Sequence, residues 1–209
     1  MFDNLPVFGM RGQTRVYGCV LIGGRSTRLG TPKHLLKREG KTWLERTVEI
    51  LQQVTEQTVI VGDGELPANL RDCIRLYDIP EVDGPMAGIL AAMRWAPQAS
   101  WLVAACDLPN LSVQALRWLL EARRPGVWAT LPKLPNRKHF EPLLAHYDFR
   151  SRLLLERMAQ QRSFSFDLLA SSPKVITVTP PAELASAWVN INTPEQLHDY
   201  LGANGSSMK

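Results

Sequence analysis

A chain of 209 residues, 45% of them hydrophobic and 21% charged, suits one domain with ample side chains for a core. Its net charge of +4 is mild, and the basic residues are scattered apart from a first loop and the pairs Arg123-Arg124 and Arg137-Lys138. That argues against a nucleic-acid binder, which would show a basic stripe with interleaved aromatics, and suits small phosphorylated substrates. The 3 cysteines stand far apart with no C-x-x-C, no apolar run approaches a membrane span, and Met1 opens no secretory signal. Neither a zinc site nor a disulfide framework is suggested, and a cytoplasmic setting is expected.

In chain order, Met1–Arg15 carries Pro6, Gly9 and Gly12 with little periodicity and reads as a mobile leader. Val16–Ile22 is apolar throughout, as a strand buried on both faces must be. A glycine-rich loop follows. Trp43, Leu44, Thr47, Val48 and Leu51 share one helical face. Thr58–Val61 reads as a β-branched strand, Cys73–Tyr77 as a weaker one, and Ala87–Trp95 as a helix rich in Ala, Leu and Met. Trp101–Cys106 is a buried strand. Ser112 can cap a helix carrying Val113, Leu116, Trp118, Leu119 and Leu120, and Val127–Leu131 is a further strand. Gly202–Lys209 reads as a mobile tail, leaving residues 16–201 as one domain. The alternation predicts an α/β fold of three layers: a mostly parallel twisted sheet with helices on both faces. Such sheets bind ligands beyond the carboxyl ends of their strands.

The loop carries the strongest chemical signal. It runs Gly23-Gly24-Arg25-Ser26-Thr27-Arg28-Leu29-Gly30-Thr31-Pro32-Lys33. Two glycines stand where the strand must turn, so backbone N–H groups can approach an anion, and Arg25, Arg28 and Lys33 add positive charge. A nucleoside triphosphate is the expected ligand. Thr31 after Gly30 breaks the P-loop order, and the adjacent Gly23 and Gly24 break G-x-G-x-x-G. A plain strand-to-helix turn with solvated charges is the alternative.

Asp107 ends a buried strand before Leu108-Pro109, placed equally well to hold Mg²⁺ or to cap the turn before Ser112. Asp78 closes the third strand, and its acceptor-only carboxylate suits the N–H edge of a purine. Gly84, in Asp83-Gly84-Pro85-Met86-Ala87-Gly88, lets the chain pass close to a flat base, and Gly88 lets a helix start press on a ligand or on the sheet. His139, His146 and His198 stand singly and read as structural or surface groups, whereas His34 follows Lys33 and is expected only to lie near phosphate; Trp95, Trp101, Trp118 and Trp128 read as core. Asn192 or Thr193 can cap the last helix, with Pro194 in its first turn.

Taken together and in order, these segments resemble one family. They are Leu21–Lys33, Asp78, Gly84–Gly88, Cys106-Asp107-Leu108-Pro109, Glu141-Pro142-Leu143-Leu144-Ala145-His146-Tyr147 and Asn190-Ile191-Asn192-Thr193-Pro194-Glu195. The order resembles the molybdenum cofactor guanylyltransferases, within the larger group of nucleotide-sugar-type transferases, over roughly Val16 to Leu201. The resemblance implies a Rossmann-like nucleotidyltransferase fold. It implies a Mg²⁺-dependent enzyme that moves GMP from GTP to the phosphate of the molybdopterin cofactor, releasing pyrophosphate. It further implies triphosphate contacts from Leu21, Ile22, Gly23, Gly24 and Lys33, and catalytic roles for Arg28, Lys33 and Asp107. Asp78 then lies on the guanine side with Gly84 nearby, Mg²⁺ sits on Asp107, and Asn190 and Asn192 face the pterin. GTP and a molybdopterin-type cofactor are the expected partners, with a molybdoenzyme chaperone or cofactor-delivery protein to receive the product, and neither nucleic acid nor membrane.

Two positions depart from the family pattern. Pro32 stands where many members have Asp before the lysine, and Gly62 where many have an Asn that contacts the nucleotide. Pro32-Lys33 is common in cytidylyl and uridylyl enzymes. A cytidylyl- or sugar-phosphate nucleotidyltransferase of the same fold therefore stays open. A non-catalytic nucleotide-binding adaptor does too, although an adaptor would need neither Lys33 nor Asp107.

Overall fold

The computed structural model describes residues 14–23, 32–135 and 137–205. In chain order its elements are β1 (Val16–Leu21), the antiparallel pair β2 (Lys37–Arg38) and β3 (Lys41–Thr42), α1 (Trp43–Gln52), β4 (Gln57–Val61), β5 (Ile74–Leu76), α2 (Pro85–Trp95), β6 (Ser100–Ala105), α3 (Val113–Glu121), β7 (Ala129–Pro132), β8 (Leu144–Tyr147), α4 (Ser151–Gln160), α5 (Phe166–Ala170), β9 (Val175–Val178) and α6 (Pro194–Gly205). Among the described residues no helix is long and apolar enough to cross a membrane.

Seven strands form one sheet in the order β5-β4-β1-β6-β8-β7-β9. The pairs β1–β4, β1–β6, β4–β5 and β7–β9 are parallel, as the strand–helix alternation predicts. β8 runs antiparallel to both neighbours. Its reversal brings its beginning to the carboxyl end of β6, where the Ala105 N–H donates to the Leu143 carbonyl at 2.8 Å.

Side chains alternate across the sheet, as the pleat requires. Cys19, Val59, Trp101, Val103 and Tyr147 pack on one face beneath α2, α4 and α5. Val20, Ile60, Leu102, Ala104 and Leu144 pack on the other beneath α1, α3 and the 3-10 turn Ala182–Trp188. Leu44, Leu51 and Leu102 are fully buried, each contributing about 2 kcal/mol of transfer free energy. α1 begins on a capping box: Thr42 Oγ1 accepts from the Glu45 N–H at 3.1 Å, and Glu45 Oε2 accepts from the Thr42 N–H at 2.6 Å. Ser112 caps α3 as expected, accepting from the Ala115 N–H. Trp101 is core, whereas Trp95 stays 42% exposed at the end of α2, with its ring against Tyr17 and Trp101.

His146 in β8 is 4% exposed. Burial, helped by the charge of Arg123, pushes its pKa from 6.5 down to about 3. Between those values the unfolded chain binds a proton that the folded chain refuses. Stability is thus fully present above about pH 6.5 and is lost as pH falls toward 3, by up to about 1.4 kcal/mol per pH unit. His34, lowered mainly by its own burial, acts in the same direction. Urea melts between pH 7 and 4 should show the slope, and His146→Gln should flatten it.

Candidate active site

β1 is the point where the chain order reverses: the connection to β4 goes one way along the sheet and β6 lies on the other side. Open α/β sheets bind ligands in the crevice at such a point. Here the strands end level, with Leu21 in register with both Val61 and Ala105. Beyond them the Ile22 N–H donates to Val61 at 2.8 Å and the Cys106 N–H to Leu21 at 3.1 Å. Leu21, Ile22 and Gly23 therefore lie at the same end of the sheet as Cys106 and Asp107, with the Ile22 side chain buried. Gly24 and Arg28, with Arg25, Gly30 and Thr31, lie outside the described residues.

Lys33 begins a short 3-10 turn, Lys33–Leu35. Its Nζ donates to Asp107 Oδ2 at 3.0 Å and to Asn192 Oδ1 at 2.5 Å. Lys33 and Asp107 keep only 15% and 16% of their side-chain surface, so their attraction is screened less than a surface pair's. The segment carrying Asn192 is tied to the end of β6, because the Ile191 N–H donates to the Asp107 carbonyl at 3.1 Å.

The capping question resolves in favour of Thr193. Its Oγ1 accepts from the Gln196 N–H, and Gln196 Oε1 accepts from the N–H groups of Thr193 and Asn192. The Asn192 side chain is thereby left to meet Lys33. Asn190 stands two residues away, in a cleft of about 90 Å³ that it shares with Leu108, Glu141 and Trp188.

Asp107 Oδ1 is buried and has no hydrogen-bond partner among the described residues. An ionised oxygen in that condition is costly and suits a hard cation. No group of three or more His, Cys, Asp or Glu that could hold a metal occurs among the described residues. A cation here would thus rest on one carboxylate, with ligand phosphates and water completing its shell, which fits Mg²⁺.

Asp78 follows β5, close to the first turns of α2. A Cβ built on Gly88 would lie 2.7 Å from Leu21 Cδ2 and 3.0 Å from Asp78 Oδ1. Gly88 therefore lets the helix press on the end of β1 while Asp78 stays open. Burial first, then the charge of Asp63, raises the Asp78 carboxyl above its ordinary range, which makes a hydrogen-bond-donating partner welcome. Gly84 caps α2, its carbonyl accepting from the Ala87 N–H at 3.1 Å.

Glu141 was not among the residues assigned a role from the sequence. It is half-buried in the Asn190 cleft, and burial raises its carboxyl; Arg137 opposes this and Asp107 adds to it. The signal was its position three residues before the buried Leu144–Tyr147 run. His34, which follows Lys33 in the chain, is buried with its ring nitrogen against the Glu65 carbonyl at 3.0 Å.

Comparison with known proteins identifies the family. The family described as the MobA-like NTP transferase domain matches residues 18–191. A probable molybdenum cofactor guanylyltransferase of Bacillus cereus (strain ATCC 10987 / NRS 248) is 29% identical over 186 residues, covering 86% of this chain and 92% of that protein. Its namesake in strain B4264 is 30% identical over the same shares. Among solved structures, molybdopterin-guanine dinucleotide biosynthesis protein A from Archaeoglobus fulgidus superposes with a TM-score of 0.75 at 28% identity, over 91% of this chain and 99% of its own. A match through nearly the whole sheet, from β1 to the segment bound against Asp107, makes this chain a member of the MobA-like NTP transferase family, and so a nucleotidyltransferase.

Proposed function

We propose that the enzyme transfers GMP from GTP to the phosphate of a molybdopterin-type cofactor, releasing pyrophosphate and forming the guanine dinucleotide cofactor. The observation that carries this reading is the meeting of Lys33, Asp107 and Asn192 where β1 and β6 end. The names of the relatives support the acceptor and the base. A phosphate oxygen of the acceptor forms a bond to the α-phosphorus; the bond from that phosphorus to the bridging oxygen breaks, and pyrophosphate leaves with the electron pair.

The nucleophile is already an anion near neutral pH, so the residues have alignment and charge neutralisation to perform. Lys33 moves its charge from Asp107 to the triphosphate, with help from Arg28. Leu21, Ile22, Gly23 and Gly24 cradle the phosphates, Gly84 lies beside the base, and Asn190 and Asn192 face the acceptor. Mg²⁺, held by Asp107, would supply Lewis-acid stabilisation of phosphate oxygens when bound. Three free cysteines fit a cytoplasmic enzyme, one that passes its product to a chaperone or delivery protein.

Asp78 is assigned the N–H edge of guanine. Melting curves with GTP, CTP, ATP and UTP, each with Mg²⁺, should show stabilisation by GTP above the rest. Asp78→Asn replaces one acceptor by a donor and should cost about 10²-fold in GTP affinity. Equal or stronger stabilisation by CTP in the parent protein would remove the guanine assignment and favour a cytidylyltransferase.

A further inference from the structure

The edge of the sheet opposite the crevice holds a cavity of about 630 Å³. It opens among Val16 at the start of β1, Ser100 at the start of β6, the residues after α3 and the end of β8. Thr130 and His146 are cross-strand partners, so both point to the face that carries α1 and α3. They are 1% and 4% exposed. Thr130 Oγ1 and His146 Nε2 nevertheless have no hydrogen-bond partner among the described residues, and both residues line this cavity. Native structures seldom leave two such neighbouring groups unsatisfied.

The cavity is also cationic. Arg123 and Arg124 stand on its wall just beyond α3. Arg123 uses Nε on the Leu120 carbonyl at 2.7 Å, and its terminal nitrogens make no hydrogen bond among the described residues. The two carboxylates on the wall are already engaged, Asp148 with Arg150 at 2.6 Å and Glu56 with Arg15 at 3.6 Å. Asp148 also acts electrostatically on Arg123, yet the wall carries three arginines, Arg123, Arg124 and Arg150, against the two carboxylates Glu56 and Asp148. Burial holds His146 neutral, so its imidazole adds no repulsion and can serve as a plain hydrogen-bonding group.

We propose that this cavity is a second binding site, for a small ligand bearing a phosphate or carboxylate group. The ligand's oxygens accept from Arg123, Arg124 and the Thr130 hydroxyl, and His146 Nε2 hydrogen-bonds the same ligand. Guanidinium groups suit such oxyanions because their donors pair with two oxygens at once. The site is separate from the nucleotide crevice, since Val16 and Ser100 begin the two strands whose far ends carry Leu21 and Ala105.

The test is melting temperature at constant ionic strength with inorganic phosphate, with acetate, and with chloride as the control, each on four proteins. The parent and Lys33→Ala should respond to phosphate or acetate but not to chloride, by about 3–5 °C at a tenfold excess over Kd. Whichever oxyanion acts at lower concentration identifies the ligand's group. The double variant R123Q/R124Q, altered only at the surface, should bind at least about tenfold more weakly. Thr130→Val should bind more weakly too, without a fall in its ligand-free melting temperature, because it removes an unpaired hydroxyl. An undiminished response in R123Q/R124Q, a response lost only in Lys33→Ala, or no oxyanion response in the parent would overturn the proposal.

Discussion

Asp107→Asn lowers the rate of nucleotidyl transfer by about 10³-fold and leaves the melting temperature within a few degrees of the parent. The two effects separate because the carboxylate serves charge rather than packing. Its Oδ2 meets Lys33, while its Oδ1 is buried with no hydrogen-bond partner among the described residues. Replacing the acid by an amide of the same shape removes an ion pair that is partly open to solvent, at a cost of about 1 kcal/mol. It also removes a buried ionised oxygen that lacked a partner, a gain of similar size. Lys33 loses its counter-ion but keeps the Asn192 oxygen as acceptor and some solvent contact, so its ammonium stays hydrogen-bonded. What the amide cannot do is bind a divalent cation against phosphate oxygens. Turnover at saturating GTP across a magnesium titration, read beside thermal melting, checks both halves. A variant with near-parent turnover at every magnesium concentration would show that this oxygen holds no cation.

Much of the crevice was legible before the fold was known, and the reasons are specific. β1 and β6 announce themselves because both of their faces are buried, which leaves an uninterrupted apolar run ending at a glycine pair and at Asp107. β8 was not recognised as a strand. It is four residues long and carries His146 in a core position, so it lacks a pattern of its own and exists by pairing with β6 and β7. The meeting of Lys33 with Asn192 spans 159 positions. Each residue could be suspected from its own segment, but their contact depends on the Ile191 bond that folds the last loop onto β6. The choice between Asn192 and Thr193 as helix cap needed the position of the Gln196 side chain, which serves both backbone N–H groups. Glu141 needed the reversal of β8, since only that brings the segment before the strand to the same edge as Asp107.

Gly62→Ala destabilises the protein by about 3–5 kcal/mol, or about 10–15 °C in melting temperature. Gly62 holds φ at +118°, and a Cβ there would lie 1.8 Å from the Ile22 carbonyl oxygen. Because the obstacle is backbone, no rotamer change relieves it. The peptide is also pinned: its N–H donates to the Leu76 carbonyl at 3.0 Å, and its own carbonyl accepts from Arg75 Nε at 3.3 Å and Nη2 at 3.1 Å. The chain can accept a side chain here only by parting the ends of β1 and β4, and with them Ile22 and Gly23 at the start of the glycine-rich loop.

Gly23→Ala is the matched control. Its φ is +121°, yet a Cβ would meet nothing within 4 Å among the described residues, so against them it bears the conformational cost alone, about 1–2 kcal/mol. The difference between the two melting temperatures isolates the Ile22 contact. The same contact bars asparagine, so the glycine at position 62 is built into this backbone. Gly62→Asn should therefore melt at least as early as Gly62→Ala and gain no affinity for GTP. Equal melting of Gly62→Ala and Gly23→Ala would mean that the strand ends yield freely, and the rigid floor assigned to the phosphate loop would be wrong.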